Sequence, residues 1–172
     1  MCVHRARLQL GSAHAILVSR GGYSFGSILR CNLESVLEYA SRTAPLPLPD
    51  ANRAEMRQLF ASLESGGHGA WAPWSWFLPY AKTLADAYQS IGEMLVRDGL
   101  ERGEFHQALS TAREMVNAQP LDEAPRLLVV RALLAMNNRA AAVAEYRAFQ
   151  ELLRKELDIE PSREIQDLLS SA

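Results

Sequence analysis

The residue types that perform chemistry in proteins are present in this sequence, but their spacing does not fit catalysis or metal binding. The two cysteines have no CxxC spacing and are too few for a disulfide framework. No Ser–His–Asp arrangement, phosphate-binding loop or dinucleotide-binding glycine motif occurs. The sequence therefore predicts a protein that is not an enzyme and that holds no metal or cofactor. The histidines and cysteines considered are His4, His14, His68, His106, Cys2 and Cys31.

Three tryptophans stand close together in a segment flanked by glycine and proline. Trp71, Trp74 and Trp76 lie between Gly69 and Pro79. If exposed, such a cluster would be a hot spot for a protein partner, and the three residues are candidate partner-binding residues. The alternative, which we favour, is that the rings cover the open end of a helical stack. Glycine and proline suit either role because they place the rings without helical constraint.

The composition is that of an ordinary globular protein. Of the 172 residues, 48% are apolar and 22% are charged, which suffices for one domain with a hydrophobic core. A net charge of −2 does not support binding to nucleic acid by overall charge, because such domains are normally basic. There is no secretory signal, and no apolar run reaches the ~20 residues that span a bilayer. We predict a cytoplasmic protein with free thiols and no membrane contact.

Two segments of the C-terminal half align at a spacing of 34 residues. Gly103 aligns with Asn137, and both residue types can adopt the left-handed backbone conformation that ends a helix. Ala108 aligns with Ala142, a small residue placed where two antiparallel helices approach closely. A period of 34 is that of a tetratricopeptide unit, so the repeat predicts antiparallel helical hairpins stacked in an α-α superhelix. The other aligned pairs are Val96 and Val130, Arg97 and Arg131, and Leu100 and Leu134.

Apolar residues recur at helical spacing through this region, which predicts a mostly α-helical fold. Pro161 then begins a short terminal helix that closes the end of the stack. The inward-facing stripes are Leu84, Tyr88, Ile91 and Leu95; Leu109, Ala112, Met115 and Val116; Leu127, Leu128, Val130 and Leu134; Val143, Tyr146, Phe149, Leu153 and Leu157; and Ile165, Leu168 and Leu169.

Basic and acidic residues alternate near the C-terminus. This alternation predicts a solvated face with i,i+4 ion pairs rather than a binding patch. The basic members are Arg139, Arg147, Arg154, Lys155 and Arg163, and the acidic ones are Glu145, Glu151, Glu156, Glu160 and Glu164.

Two further helices are predicted upstream, over residues 32–43 and 52–64. Alternating prolines between Ala44 and Asp50 forbid a helix and favour an extended connector. The inward residues of the second helix are Met56, Leu59, Phe60 and Leu63.

The first 27 residues have a different pattern. Val3 to Leu10 is a short basic helical piece, and the composition of Ala15 to Arg20 predicts a β-strand. Gly21-Gly22 is a hairpin turn signal, and Tyr23 begins the return strand. We expect a small N-terminal β-hairpin after a helix end.

This opening segment resembles the end of an OmpR-type winged helix. The resemblance rests on Val3-His4-Arg5-Ala6-Arg7-Leu8-Gln9-Leu10 for the end of the recognition helix. The wing corresponds to Ser19-Arg20-Gly21-Gly22-Tyr23-Ser24-Phe25 and is one residue shorter than the commonest form. Residues 1–27 would then be the last part of a winged helix, without the helices and sheet that precede it.

The remainder resembles the bacterial transcriptional activator domain, the tetratricopeptide-like partner of the winged helix in SARP-type regulators. Residues 31–172 would form this domain, and Asp158 stands where the family usually has glycine. The resemblance rests on Pro120-Leu121-Asp122-Glu123, the tryptophan-bearing loop, and a tail formed by Tyr146, Leu153, Glu156, Leu157, Asp158, Ile159, Glu160, Pro161, Ser162, Glu164 and Ile165.

These resemblances imply a transcriptional regulator or a fragment of one. The helical domain would contact a protein partner or a second copy of itself, as a homodimer. By resemblance, Arg5, Arg7 and Arg20 would face DNA, but three arginines without the rest of a winged helix give weak, salt-sensitive binding. The alternative is an adaptor that does not bind DNA and takes a protein partner in the groove of the stack.

Overall fold

The computed structural model describes residues 16–19, 22–25, 46–65 and 78–170. The chain divides into two units, Met1–Ser35 and Val36–Ala172. In the first unit, strands β1 (Ile16–Ser19) and β2 (Gly22–Phe25) pair antiparallel, with Ile16 opposite Phe25 and Ser19 opposite Gly22.

The described part of the second unit is mostly helical. Its helices are α1 (Asp50–Ser65), α2 (Leu78–Glu101), α3 (Phe105–Ala118), α4 (Glu123–Ala135), α5 (Arg139–Leu157) and α6 (Arg163–Ser170). α1 and α2 lie where the sequence predicts a helix over 52–64 and a long helix from about residue 80. The predicted helix over 32–43 lies outside the described residues.

Successive helices of this unit pack against one another. α2 packs on α1 and α3, α3 packs on α4, and α4 packs on α5. Because short turns join α2 to α3 and α4 to α5, each of these pairs is an antiparallel hairpin. α4 also contacts α2 and α6, so the first helices of successive hairpins lie side by side.

Most residues of the predicted apolar stripes belong to one hydrophobic core. All four stripe residues of α3 are buried, and Phe60 of α1 stacks on Tyr88 of α2 with ring centroids 4.5 Å apart. Ala108 and Ala142 are both buried, as the close approach of helices requires. One stripe residue is wrong: Leu157 is 50% exposed, because it is the last residue of α5 and lies beyond the helices that would cover it.

Residues at the helix ends explain where the helices begin and end. Asp122 accepts a hydrogen bond from the Ala124 backbone N–H, and Asn138 accepts one from Ala141, so each caps the start of a helix. Asp158 has a φ of 56°, so it adopts the left-handed conformation at the position where the family usually has glycine. The prediction for Pro161 needs correction, because α6 begins two residues later, at Arg163.

The terminal helix closes one end of the core. Ile165 and Leu169 are buried, and Leu168 packs partly buried against the core. Glu123, at the start of α4, accepts a hydrogen bond from the Ser162 backbone N–H at 3.0 Å and another from its hydroxyl. This contact holds the segment before α6 against α4.

Candidate interaction surface

The two hairpin turns have the same backbone geometry. Gly103 has a φ of 74° and Asn137 a φ of 55°, which confirms the left-handed conformation predicted for both. In the first turn, the Glu104 N–H donates to the Gly99 carbonyl at 2.8 Å. In the second, the Asn138 N–H donates to the Leu133 carbonyl at 2.9 Å, one repeat further along the chain. The 34-residue period is therefore present in the hydrogen bonds as well as in the residue types.

The two helices of the first hairpin approach closely because small residues line their contact. A Cβ atom built on Gly99 would lie 3.2 Å from the Ala108 Cβ, across the contact of α2 with α3. Gly92 is tighter still, since its Cβ would lie 2.6 Å from Met115 Sδ and 2.8 Å from Phe60 Cε2. A side chain at Gly92 would therefore push the helices apart.

A pocket of about 320 Å³ lies between the two turns. Its volume is at the lower end of the range for binding pockets. The lining is mixed, with apolar Phe105 and Met136 beside the polar side chains of His106 and Asn137. The lining contains no Asp, Glu, Lys or Arg side chain, so the pocket suits one apolar side chain with a polar group at its rim. We call this site the turn pocket; its lining residues are Gly103, Phe105, His106, Ala135, Met136 and Asn137.

The exposed side of the first helices carries matched ion pairs. Arg97 and Arg131, which the repeat aligns, both reach an acidic partner at 3.1 Å. Arg97 pairs with Glu93 within α2, whereas Arg131 pairs with Glu164 of α6. Since each arginine is neutralised nearby, this side presents alternating charge rather than a basic patch.

Two residues of the C-terminal basic tract form ion pairs, but neither pair has the predicted i,i+4 spacing. Arg154 pairs with Glu160, beyond the end of α5, and Lys155 pairs with its neighbour Glu156. The hydrogen bond from Arg154 lowers the pKa of Glu160 below its usual value. The last turn of α5 is thus fastened to the segment that follows it, because the chain reverses at Asp158.

A second cluster of charges surrounds Asp98, which the sequence analysis did not single out. Asp98 is fully buried on α2 and lies between Arg53 and Arg102. Arg53 also donates to Glu104, and this hydrogen bond lowers the pKa of the Glu104 carboxyl. The repeat alignment contained a signal for Asp98, because the aligned residue in the second hairpin is Ala132.

The residues predicted from sequence to bind partners all lie outside the described residues. They are Arg5, Arg7 and Arg20 for DNA and Trp71, Trp74 and Trp76 for a protein partner. The turn pocket instead uses residues at the two repeat turns. Among them the sequence analysis used only Gly103 and Asn137, and it used them as helix ends.

Comparison with known protein families identifies the helical unit. Residues 59–171 match the bacterial transcriptional activator domain. The chain belongs to this family. The activator-domain match includes both hairpin turns and the terminal helix, and the family is regulatory rather than enzymatic. No curated protein and no solved structure matches the chain.

Two further observations concern the described residues. Every helix among them is too short or too polar to cross a lipid bilayer. In the same residues, no group of three His, Cys, Asp or Glu side chains is placed to hold a metal ion.

Proposed function

We propose that the chain is a transcriptional regulator, or part of one, whose tetratricopeptide-like helical unit contacts a protein partner through the turn pocket. The observation that carries the proposal is the position of this pocket between two turns of equal geometry in an activator domain. A partner would insert one apolar side chain between Phe105 and Met136. Burying such a side chain contributes about 1.5–3 kcal/mol, enough for one anchor of a regulated contact.

Filling the pocket tests this proposal. Ala135 lines the pocket and is exposed, so Ala135→Arg blocks the pocket without disturbing the core. Ala140→Arg is the matched control, because Ala140 is also exposed and lies outside the pocket lining. Equal melting temperatures of the two variants would show that both fold.

The functional readout is the transcript profile of a strain that lacks the protein. The wild-type chain and Ala140→Arg should restore the profile, and Ala135→Arg should not. Full restoration by Ala135→Arg would refute the pocket as the contact. A deletion that changes no transcript would refute the regulator itself.

A second copy of the chain is one candidate partner, and we include the homodimer in the proposal. Light scattering with size-exclusion chromatography measures the mass directly. A dimer that Ala135→Arg converts to a monomer, while Ala140→Arg does not, would identify the turn pocket as a self-contact. A monomer at all concentrations would assign the pocket to another protein.

DNA binding through Arg5, Arg7 and Arg20 is a separate part of the proposal. It rests on the sequence resemblance to the end of a winged helix and a wing. The triple alanine variant should weaken a salt-dependent gel shift, whereas Arg113→Ala, an exposed arginine on α3, should not. Absence of any shift at micromolar wild-type protein would favour the alternative function, an adaptor in the cytoplasm that binds only a protein partner.

A further inference from the structure

Asp98 is a buried carboxylate that the helical hairpin itself does not need. The second hairpin places Ala132 at the aligned position, and that residue is fully buried as well. It also places Met136 where the first hairpin has Arg102. Burying a carboxylate is costly unless it is paired and hydrogen-bonded. Asp98 therefore makes a contact that has no equivalent in the second hairpin.

That contact is the segment Leu46–Pro49, which we call the strap. The Leu48 backbone N–H donates to Asp98 Oδ1 at 2.7 Å, and the Arg102 guanidinium donates to the Leu48 carbonyl. The Leu48 side chain is buried in the core. Both backbone polar groups of one strap residue are thus satisfied by two side chains, Asp98 in α2 and Arg102 just beyond the end of α2.

The same side chains hold each other in place. Arg102 Nε lies 3.1 Å from Asp98 Oδ1, and Arg53 Nε lies 2.8 Å from Asp98 Oδ2. Arg102 also reaches Asp50, at 3.2 Å. The charge of Asp98 is therefore balanced by one arginine from α1 and one from the turn that follows α2.

The proline pattern makes this contact selective for one residue. Pro47 and Pro49 have no N–H group, so Leu48 is the only residue of these three that can donate to Asp98. The preceding Leu46 also stands between two prolines. If the strap were shifted by two residues along α2, the N–H of Leu46 would meet Asp98 instead of the N–H of Leu48. That slip would place Leu48 where Asp50 now meets Arg102, so the Asp50–Arg102 pair favours the observed register.

We propose that Asp98 and Arg102 form a latch that fixes the register of the strap on α2 and that opens without unfolding of the hairpins. The latch sets the point at which the preceding chain joins the helical unit. Asp98 and Arg102 are positioning residues, since they act through Leu48. A polar latch around one buried side chain opens more readily than a helical core, because few apolar contacts must separate.

Hydrogen exchange of the Leu48 amide, followed by NMR on the full chain, tests the latch. In the wild-type chain this amide should exchange more slowly than an open amide but faster than buried amides of α4. Asp98→Ala should speed its exchange by about tenfold or more relative to the α4 amides, the factor that corresponds to one net hydrogen bond. Asp98→Asn, which keeps an acceptor oxygen, should restore part of the protection.

Two further variants keep the test decisive. Glu93→Ala removes an exposed ion pair on the same helix and should leave the Leu48 amide unchanged relative to α4. If Asp98→Ala does not fold, Arg102→Gln serves in its place, because Arg102 is partly exposed. If the variant that folds speeds amide exchange equally at Leu48 and in α4, the substituted residue only stabilises the fold as a whole. That result would overturn the latch. So would wild-type exchange of Leu48 at the rate of the α4 amides.

Discussion

Gly92 offers a sharp test of how closely the first hairpin is packed. It lies in the interior of α2, where alanine is normally the better helix former by about 1 kcal/mol. In this position, however, an added Cβ would lie 2.6 Å from Met115 Sδ and 2.8 Å from Phe60 Cε2. Propensity and packing therefore predict opposite effects of Gly92→Ala, and their sizes decide the outcome.

Packing should prevail at Gly92. The Met115 thioether is flexible, but Phe60 is buried and stacked on Tyr88, so its ring cannot move freely. Overpacking of a well-packed core costs about 1–3 kcal/mol, and two contacts below 3.0 Å place this case near the upper value. After subtracting the helix-propensity gain, we expect a net loss of about 2 kcal/mol of unfolding free energy.

The assay is thermal and urea unfolding followed by circular dichroism. A loss of this size lowers the melting temperature by about 4–8 °C for a chain of this length. Gly99→Ala is the control, because its Cβ would lie 3.2 Å from the Ala108 Cβ, a contact that a small shift relieves. Gly99→Ala should be neutral or slightly stabilising. A Gly92→Ala variant that melts at or above the wild-type temperature would refute the packing argument.

Three further predictions concern the repeat and its charges. Ala142→Leu should overpack the second hairpin and cost about 1–3 kcal/mol in urea unfolding, and an unchanged midpoint would remove the close approach assigned there. Gly103→Ala should lower the free energy of unfolding by about 1 kcal/mol, because alanine is strained in the left-handed conformation of Gly103. Gly103→Asn should lower it less, because Asn137 adopts the same conformation, and equal losses would contradict this. The hydrogen bond from Arg53 lowers the pKa of the Glu104 carboxyl in the folded protein. Ionised Glu104 therefore stabilises the fold above its unfolded pKa, and this contribution is lost as the pH falls through the lower folded pKa. Glu104→Gln should therefore show a weaker loss of stability than wild type on acidification below about pH 4.5 in urea titrations, and parallel curves would count against it.

The sequence predicts the helical part of the fold well because the relevant signals are local. A turn needs a residue that tolerates positive φ, and Gly103 and Asn137 are such residues at the repeat spacing. The apolar stripes likewise follow from helical period alone. Leu157 was mispredicted because periodicity continues to the end of a helix, whereas burial depends on which neighbours reach that far.

The turn pocket and the strap contact could not be read from the sequence in the same way. The pocket forms only when residues one repeat apart meet at the edge of two hairpins. The hydrogen bond from Leu48 to Asp98 joins residues 50 positions apart, so no local sequence pattern predicts it. The mismatch between Asp98 and Ala132 would have identified the position as unusual, but not its partner.

The order of the helix contacts has a consequence for how this unit folds. Each described helix from α1 to α5 packs on the next helix in the chain. The longer-range contacts are those of α4 with α2 and with α6, and each of these skips only one helix. Chains with mostly local contacts fold quickly, because closing short loops costs little conformational entropy before the contacts stabilise the fold. Their stability is close to a sum over neighbouring units, so unfolding begins at an end rather than throughout. Loss of α6, whose Ile165 and Leu169 are buried at one end of the core, should therefore loosen α4 and α5 first and α2 last.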